Sequence, residues 1–279
     1  MVLLQNDLYY KRMASSIGDK ARLIPFVTGK RVLEIGFGGG ELMDILDADG
    51  YEVYGLDASE VSVGKMADKS YSERVKEGFA DEINAHWYAG FFDTVILSSV
   101  LHEVFSYGNR GDKDKHSLDA IRNTLIVIME SLNPGGKIII RDGVLAENWD
   151  DKTTITMLNQ DVQGVKDYLD LQPFKERVSL SRIDEYSFLG NLESATSFAY
   201  TYTWGEKALP RESQELFGVM TQKEYCAMLE DSGFSVTHHE EYVQQGYVTA
   251  LSEKLLLTNS AGEQIPFPPT NAVWVAVKS

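Results

Sequence analysis

"RVLEIGFGGGEL", Arg31 to Leu42, sets an apolar run directly before four glycines in five residues. The run reads as a buried strand. Behind the glycines, Leu42, Ile45 and Leu46 mark one face of a short helix that Gly50 can end, and "YEVYGL" reads as the next strand. Strand, glycine loop, helix and strand in that order need a crossover connection, so the two strands form a parallel pair. A loop of this kind lets the backbone approach a ligand closely and aims backbone amides at its polar groups.

Upstream, Leu8, Met13, Ile17, Ala21 and Ile24 lie at helix-like spacing with an interruption at Gly18-Asp19, which suggests one or two leading helices. Downstream, Ser59 suits the N-cap of a helix through Lys69. Residues 70–91 show no clear period beyond a weakened third strand. "DTVILSSV", from Asp93, is apolar enough for a buried central strand, and Leu118, Ile121, Leu125, Ile128, Met129 and Leu132 trace one face of a helix. The turn "NPGG" stops that helix, and "KIIIRD" begins a further strand.

From Gly143 to Gly218 the alternation breaks down into a polar stretch with the aromatics Tyr186, Phe188, Phe198, Tyr200, Tyr202 and Trp204. This stretch reads as an inserted lid and not as a separate domain, leaving 1–142 and 219–279 as one domain. In "TQKEYCAMLEDSGF", Thr221 and Glu224 fit a capping box, Tyr225, Met228 and Leu229 form an apolar face, and Gly233 supplies the C-cap. The strands "FSVTHHEEY" and "AVWVAVK", joined through "IPFPP", close the sequence.

Lysine and arginine number 26 against 42 aspartates and glutamates, giving a net charge of −16. That balance disfavours nonspecific binding to nucleic acid or an anionic membrane, because a polyanion would be repelled. Cys226 is the single cysteine, which excludes an intrachain disulfide and a cysteine-rich zinc site and fits a reducing compartment. No signal region opens the sequence, and no run of about 18 apolar residues could span a bilayer. A soluble, cytoplasmic protein is expected.

The glycine spacing narrows the ligand. The dinucleotide fingerprint G-x-G-x-x-G would need its third glycine at position 41, which is Glu41. Gly36, Gly38 and Gly40 give G-x-G-x-G, preceded by Glu34. Asp57 ends the second strand, where a carboxylate can accept hydrogen bonds from ribose hydroxyls. Nicotinamide sites use the same device, so Asp57 alone does not choose between cofactors.

With these elements in place, the sequence resembles the class I S-adenosylmethionine-dependent methyltransferases. "VLEIGFGGG" is similar to their first motif, "VYGLDAS" to their acidic second-strand end, "FDTVILSSVLHEV" to their fourth strand and following loop, and "LNPGGKIIIRD" to their fifth-strand entry. "YCAMLEDSGF" and the two strands after it resemble the last helix and final strand pair. The resemblance covers roughly 30–142 and 219–279. It implies an α/β fold: a doubly wound, mostly parallel seven-stranded sheet with an antiparallel last strand and an inserted lid. It implies S-adenosyl-L-methionine as cofactor and S-adenosyl-L-homocysteine as product. By the same resemblance, backbone at Gly36, Phe37 and Gly38 surrounds the methionine moiety, with Glu34 near its amino group, and Gly40 is a further cofactor-binding residue. Asp57 meets the ribose, Ala58 the adenine, Ser98 the cofactor at the tip of the fourth strand, and Asp81 the adenine edge. Tyr9, Tyr10 and Arg12 are similar to the aromatic leading helix that closes over the cofactor in some members, with core packing as the alternative.

Methyl transfer from a sulfonium is a direct displacement, so the enzyme places the nucleophile in line, excludes water, and supplies a base where the acceptor needs one. His102 and Glu103 follow the fourth strand, where a parallel sheet opens onto its crevice, and are the base candidates; a histidine bonding a loop is the competing reading. Asp142, after the fifth strand, either lines the same cleft or serves as an N-cap or a partner of Arg141. "HHEE", His238–Glu241, offers metal-ligand chemistry, but alternate residues of a strand point to opposite faces, so an edge strand is favoured and no metal is expected. The lid aromatics either cage an acceptor or pack. "SSVLHEV" stands where base-amino methyltransferases carry an Asn/Asp-Pro-Pro-Tyr-like sequence, and Cys226 follows Tyr225 and not proline, which argues against DNA-base chemistry. The expected reaction is methyl transfer to oxygen or nitrogen of a small molecule. RNA, tRNA especially, is the alternative acceptor, docked on Lys113, Lys115, Arg122 and Lys137; a non-catalytic S-adenosylmethionine-binding module is the second alternative.

Overall fold

The computed structural model describes residues 17–109 and 113–279. It divides into two compact units, Met1–Asp142 with Cys226–Glu240 and Val273–Ser279, and Gly143–Tyr225 with Glu241–Ala272.

The first unit is built on strands β1 (Arg31–Ile35), β2 (Glu52–Asp57), β3 (Val75–Glu77), β4 (Phe92–Ser98) and β5 (Leu132–Gly143). Two further strands, β9 (Phe234–Tyr242) and β11 (Asn271–Lys278), complete a seven-stranded sheet of order β3-β2-β1-β4-β5-β11-β9. It is mostly parallel with one antiparallel strand. Val32 to Ile35 are all buried because β1 lies between β2 and β4 and both of its faces are covered, which is why its sequence is a continuous apolar run with one carboxylate, Glu34. The order reverses at β1, so the crevice opens beyond the carboxyl ends of β1 and β4.

The helices follow from local chemistry. A short helix α1 (Ile17–Lys20) runs into a 3-10 turn (Ala21–Phe26). Gly40 starts α2 (Glu41–Ala48). Ser59 caps α3 (Glu60–Lys65) by accepting from the Ser62 amide at 3.3 Å. The helix expected to reach Lys69 ends at Lys65, and turns occupy the rest. The expected third strand exists as three residues on the sheet edge, which is too short to leave a period in the sequence, and α4 (Ile83–His86) follows it. Beyond β4 come α5 (Leu101–Tyr107) and α6 (Leu118–Ser131). Ala120, Ile121, Thr124, Leu125, Ile128 and Ser131 form the buried face of α6, whereas Leu118, at its first position, is 40% exposed.

The second unit has its own four-stranded sheet, order β10-β6-β8-β7, from β6 (Lys152–Met157), β7 (Ser181–Arg182), β8 (Ser187–Asn191) and β10 (Leu255–Thr258). Helices α7 (Val162–Leu171), α8 (Leu192–Tyr202), α9 (Leu209–Glu212) and α11 (Gln245–Leu251) accompany it. The stretch expected as a lid confined to 143–218 is thus one part of a larger unit, because β10 pairs antiparallel with β6 and draws residues after 241 into the same sheet. Every residue of α8 from Leu192 to Thr201 is buried. Phe188, Phe198 and Tyr200 belong to this core, and Tyr202 stacks on Phe198, so packing accounts for these four of the six aromatics. The predicted capping box is formed: the Thr221 amide donates to Glu224 Oε2 at 2.8 Å and the Glu224 amide to Thr221 Oγ1 at 3.3 Å, opening α10 (Gln222–Asp231). Among the described residues no helix is long and apolar enough to cross a membrane.

Candidate active site

The glycine loop is shaped by two close approaches. Gly36 has φ +66°, and a Cβ there would stand 2.5 Å from Val100 Cγ2; its amide donates to the Leu56 carbonyl at 2.8 Å. Gly40 has φ +80°, and a Cβ there would meet the Met66 sulfur at 2.5 Å. A side chain at either position would carry a left-handed backbone cost and a clash. Phe37, between them, is 1% exposed, and it and Met43 fill the space that Gly55 on β2 leaves open.

Asp57 ties that loop to the second strand. Its Oδ2 accepts from the Gly38 amide and its Oδ1 from the Ser59 amide, each at 2.9 Å. Burial raises its pKa above the ordinary carboxylate value, while the two amides and the Lys20 charge pull the other way. Ala58, the next residue, is exposed, and Asp81 is half-buried in the turn beyond β3.

Glu34 and Ser98 share a different property. Both are buried, and neither Glu34 Oε2 nor Ser98 Oγ has a hydrogen-bond partner among the described residues. Leaving a buried polar atom unpaired is costly, so at the carboxyl ends of β1 and β4 these two atoms are positions where a ligand or a water completes the bonding. Burial is the chief reason that the Glu34 pKa is pushed up to about 8, with Lys20 lowering it and Glu41 and Asp57 raising it. Glu34, Glu41 and Asp57 give the loop an acidic lining. That lining suits a sulfonium and an ammonium, whose charge favours the ionised form of Glu34, and it opposes a dinucleotide's pyrophosphate. S-adenosylmethionine fits these residues: Glu34 would face its ammonium, Ser98 would gain a partner, and the glycines leave room for a close approach to the backbone.

The ends of β4 and β5 hold the second cluster. Asp142 is fully buried, and its Oδ2 accepts from the amides of Val100, Leu101 and His102 at 3.1, 2.7 and 3.3 Å. It caps α5 from a neighbouring strand, an N-cap supplied across the sheet. Its Oδ1 lies 2.6 Å from His102 Nδ1, and His102 is 4% exposed. Sequence spacing placed His102 and Asp142 near one crevice; the structure joins them in a direct bond. Glu103, one residue on, is half-buried.

Arg141 entered the sequence reading only as a partner for Asp142, and Ser99 and Lys20 had no assigned role in it. Arg141, 3% exposed, donates to Asp19 Oδ2 at 2.6 Å and to Ser99 Oγ at 2.7 Å. Ser99 has φ +62°, unusual for a serine, and its amide donates to the Arg141 carbonyl at 2.7 Å, so Arg141 clamps the turn after β4. Lys20, the last residue of α1, is 2% exposed. A charged residue at a buried strand end could have flagged Arg141; nothing local flags Lys20. Of the "HHEE" stretch, His238 packs on the Phe26 ring with centroids 4.7 Å apart and Glu240 pairs with Arg22 at 3.3 Å, on the sheet's edge strand. Tyr9, Tyr10 and Arg12 lie outside the described residues.

Residues 9–239 match the family model of the methyltransferase domain. The chain belongs to the methyltransferase-domain family. It is a class I S-adenosylmethionine-dependent methyltransferase, with the fold expected of one. Solved structures share that fold at low identity. A methyltransferase of Archaeoglobus fulgidus is 15% identical with a TM-score of 0.54, covering 95% of this chain and 94% of its own. One from Mesorhizobium loti is 15% identical with a TM-score of 0.52, covering 92% and 95%. Over 116 residues, 40% of this chain, the methyltransferase is also 32% identical to a probable nonribosomal peptide synthetase, CymA, of Salinispora arenicola. That stretch spans 1% of the synthetase's length.

Proposed function

We propose that this methyltransferase transfers a methyl group to oxygen or nitrogen of a small molecule, with His102 as the proton acceptor. The carrying observation is the 2.6 Å bond between His102 Nδ1 and Asp142 Oδ1 at the carboxyl ends of the central strands. A carboxylate on Nδ1 keeps the proton there and leaves the basic lone pair on Nε2, the atom that would take the acceptor's proton. Asp142 also holds the α5 amides, so the base and the turn that carries it move as one piece. When bound, the cofactor supplies an electrophilic methyl group. Glu34, Gly36, Phe37, Gly38, Gly40, Asp57, Ala58, Asp81 and Ser98 would hold it, and Glu103 would contact the acceptor.

Charge supports a small acceptor over RNA: the net charge is −16, and of the proposed docking strip Arg122 is paired with Asp119 at 2.7 Å and Lys137 is half-buried. Likeness to a stretch of a protein named for peptide synthesis points the same way. Acceptor recognition is assigned to the 143–218 segment, in a cytoplasmic setting.

The test is transfer of labelled methyl from S-adenosylmethionine into pools of small hydroxylated and amino compounds and, separately, into tRNA. Label in a small molecule, lost roughly 10²–10⁴-fold in His102→Ala with cofactor affinity retained, is the expected result. Label in tRNA alone would make the acceptor RNA. Tight cofactor binding with no transfer to either pool would reduce the protein to a binding module.

A further inference from the structure

We propose that Lys20 takes the carboxylate of the cofactor's methionine end and forms with Glu34 a charge clamp that selects the intact zwitterion over a decarboxylated adenosyl sulfonium. This rests on the cofactor reading above and assigns a residue that the glycine motif does not contain.

Lys20 is 2% exposed, and lysines are almost never buried without a counter-charge. The acids Glu34, Glu41 and Asp57 favour its charge, and Arg141 opposes it. Two of these are engaged elsewhere. Asp57 is engaged with the amides of Gly38 and Ser59. Arg141 is engaged with Asp19 and Ser99. Glu41 sits in the first turn of α2. Glu34 remains the fully buried acid, and its Oε2 bonds nothing among the described residues.

A lysine and a glutamate that needed only each other would have closed that bond. Here the two charges feel one another while Glu34 Oε2 stays unpaired, an arrangement that a zwitterion completes: its ammonium donates to Glu34 and its carboxylate accepts from Lys20. Burial pushes both groups toward their neutral forms, lowering Lys20 and raising Glu34, and a bound zwitterion reverses both pressures. The position is also held. Asp19, next in sequence, is ion-paired with Arg141 at the end of β5, which fixes the end of α1 against the sheet. The loss of one charge-assisted bond in such a place costs roughly 10–100-fold in affinity.

The experiment is calorimetric titration of wild type, Lys20→Met and Lys20→Arg with S-adenosylmethionine and with its decarboxylated analogue, which keeps the sulfonium and the amine. Wild type is expected to prefer the intact cofactor by at least about tenfold. Lys20→Met should weaken the intact cofactor by roughly 10–100-fold and the analogue by less than about threefold, with Lys20→Arg in between. Equal weakening of both ligands, or no weakening, would overturn the assignment. So would a wild-type ratio near one, a measurement that does not depend on any variant folding. If wild type bound neither ligand, the cofactor reading itself would fall, an outcome distinct from equal binding of both.

Discussion

At the residue scale, the feature with the largest measurable signature is the buried carboxylate of Glu34. Its ordinary value is 4.5 and it stands at about 8 in the folded chain, so the fold binds that proton more tightly than the unfolded chain does. The stability this group contributes is therefore complete below about pH 4.5 and is lost as pH rises through about 8. Thermal unfolding of the cofactor-free protein should show a midpoint that falls between these values more steeply than that of Glu34→Gln. Parallel pH profiles of the two proteins would refute the buried, unpaired carboxylate. S-adenosylmethionine should recover stability most at the alkaline end, where its ammonium meets an ionised Glu34. Both Glu34, the one acid of the first apolar run, and Asp57, at the end of the second strand, stood out in the sequence. Lys20 did not, because its burial depends on where α1 comes to rest.

At the element scale, the glycine loop and the turn after β4 are both held in backbone conformations that ordinary residues avoid. Gly36→Ala is expected to destabilise the protein by about 2 kcal/mol and to abolish cofactor binding, since φ +66° and a Cβ 2.5 Å from Val100 act together. Gly64→Ala, in α3 with nothing within 4 Å of the new Cβ, should instead be neutral or stabilise by up to about 1 kcal/mol. Chemical denaturation of the two variants beside wild type measures the contrast, and equal effects would remove the steric account of the loop. The helix caps at Ser59 and at Thr221 with Glu224 were legible because capping is local chemistry. The cap on α5 was not: its donor groups and Asp142 are 40 or more residues apart and meet only through adjacent strands.

At the scale of the whole molecule, a net charge of −16 predicts that tRNA produces no electrophoretic shift even at low salt. A shift that weakens with added salt would instead place an RNA on a local basic surface. The order of strands β1 to β5, the glycine loop, the acid ending β2 and the family were written in the sequence, because apolar period, glycine spacing and capping are set by neighbours along the chain. The extent of the second unit was not, since β10 joins β6 from about a hundred residues away and turns a presumed insert into one sheet of a larger body. Nor were the bond between His102 and Asp142, the clamp of Arg141 on Asp19 and Ser99, and the burial of Lys20. A side chain's type and strand position follow from local pattern. Its partner, its burial and hence its charge state follow from which distant elements are packed against it, and that is decided only when the chain has folded.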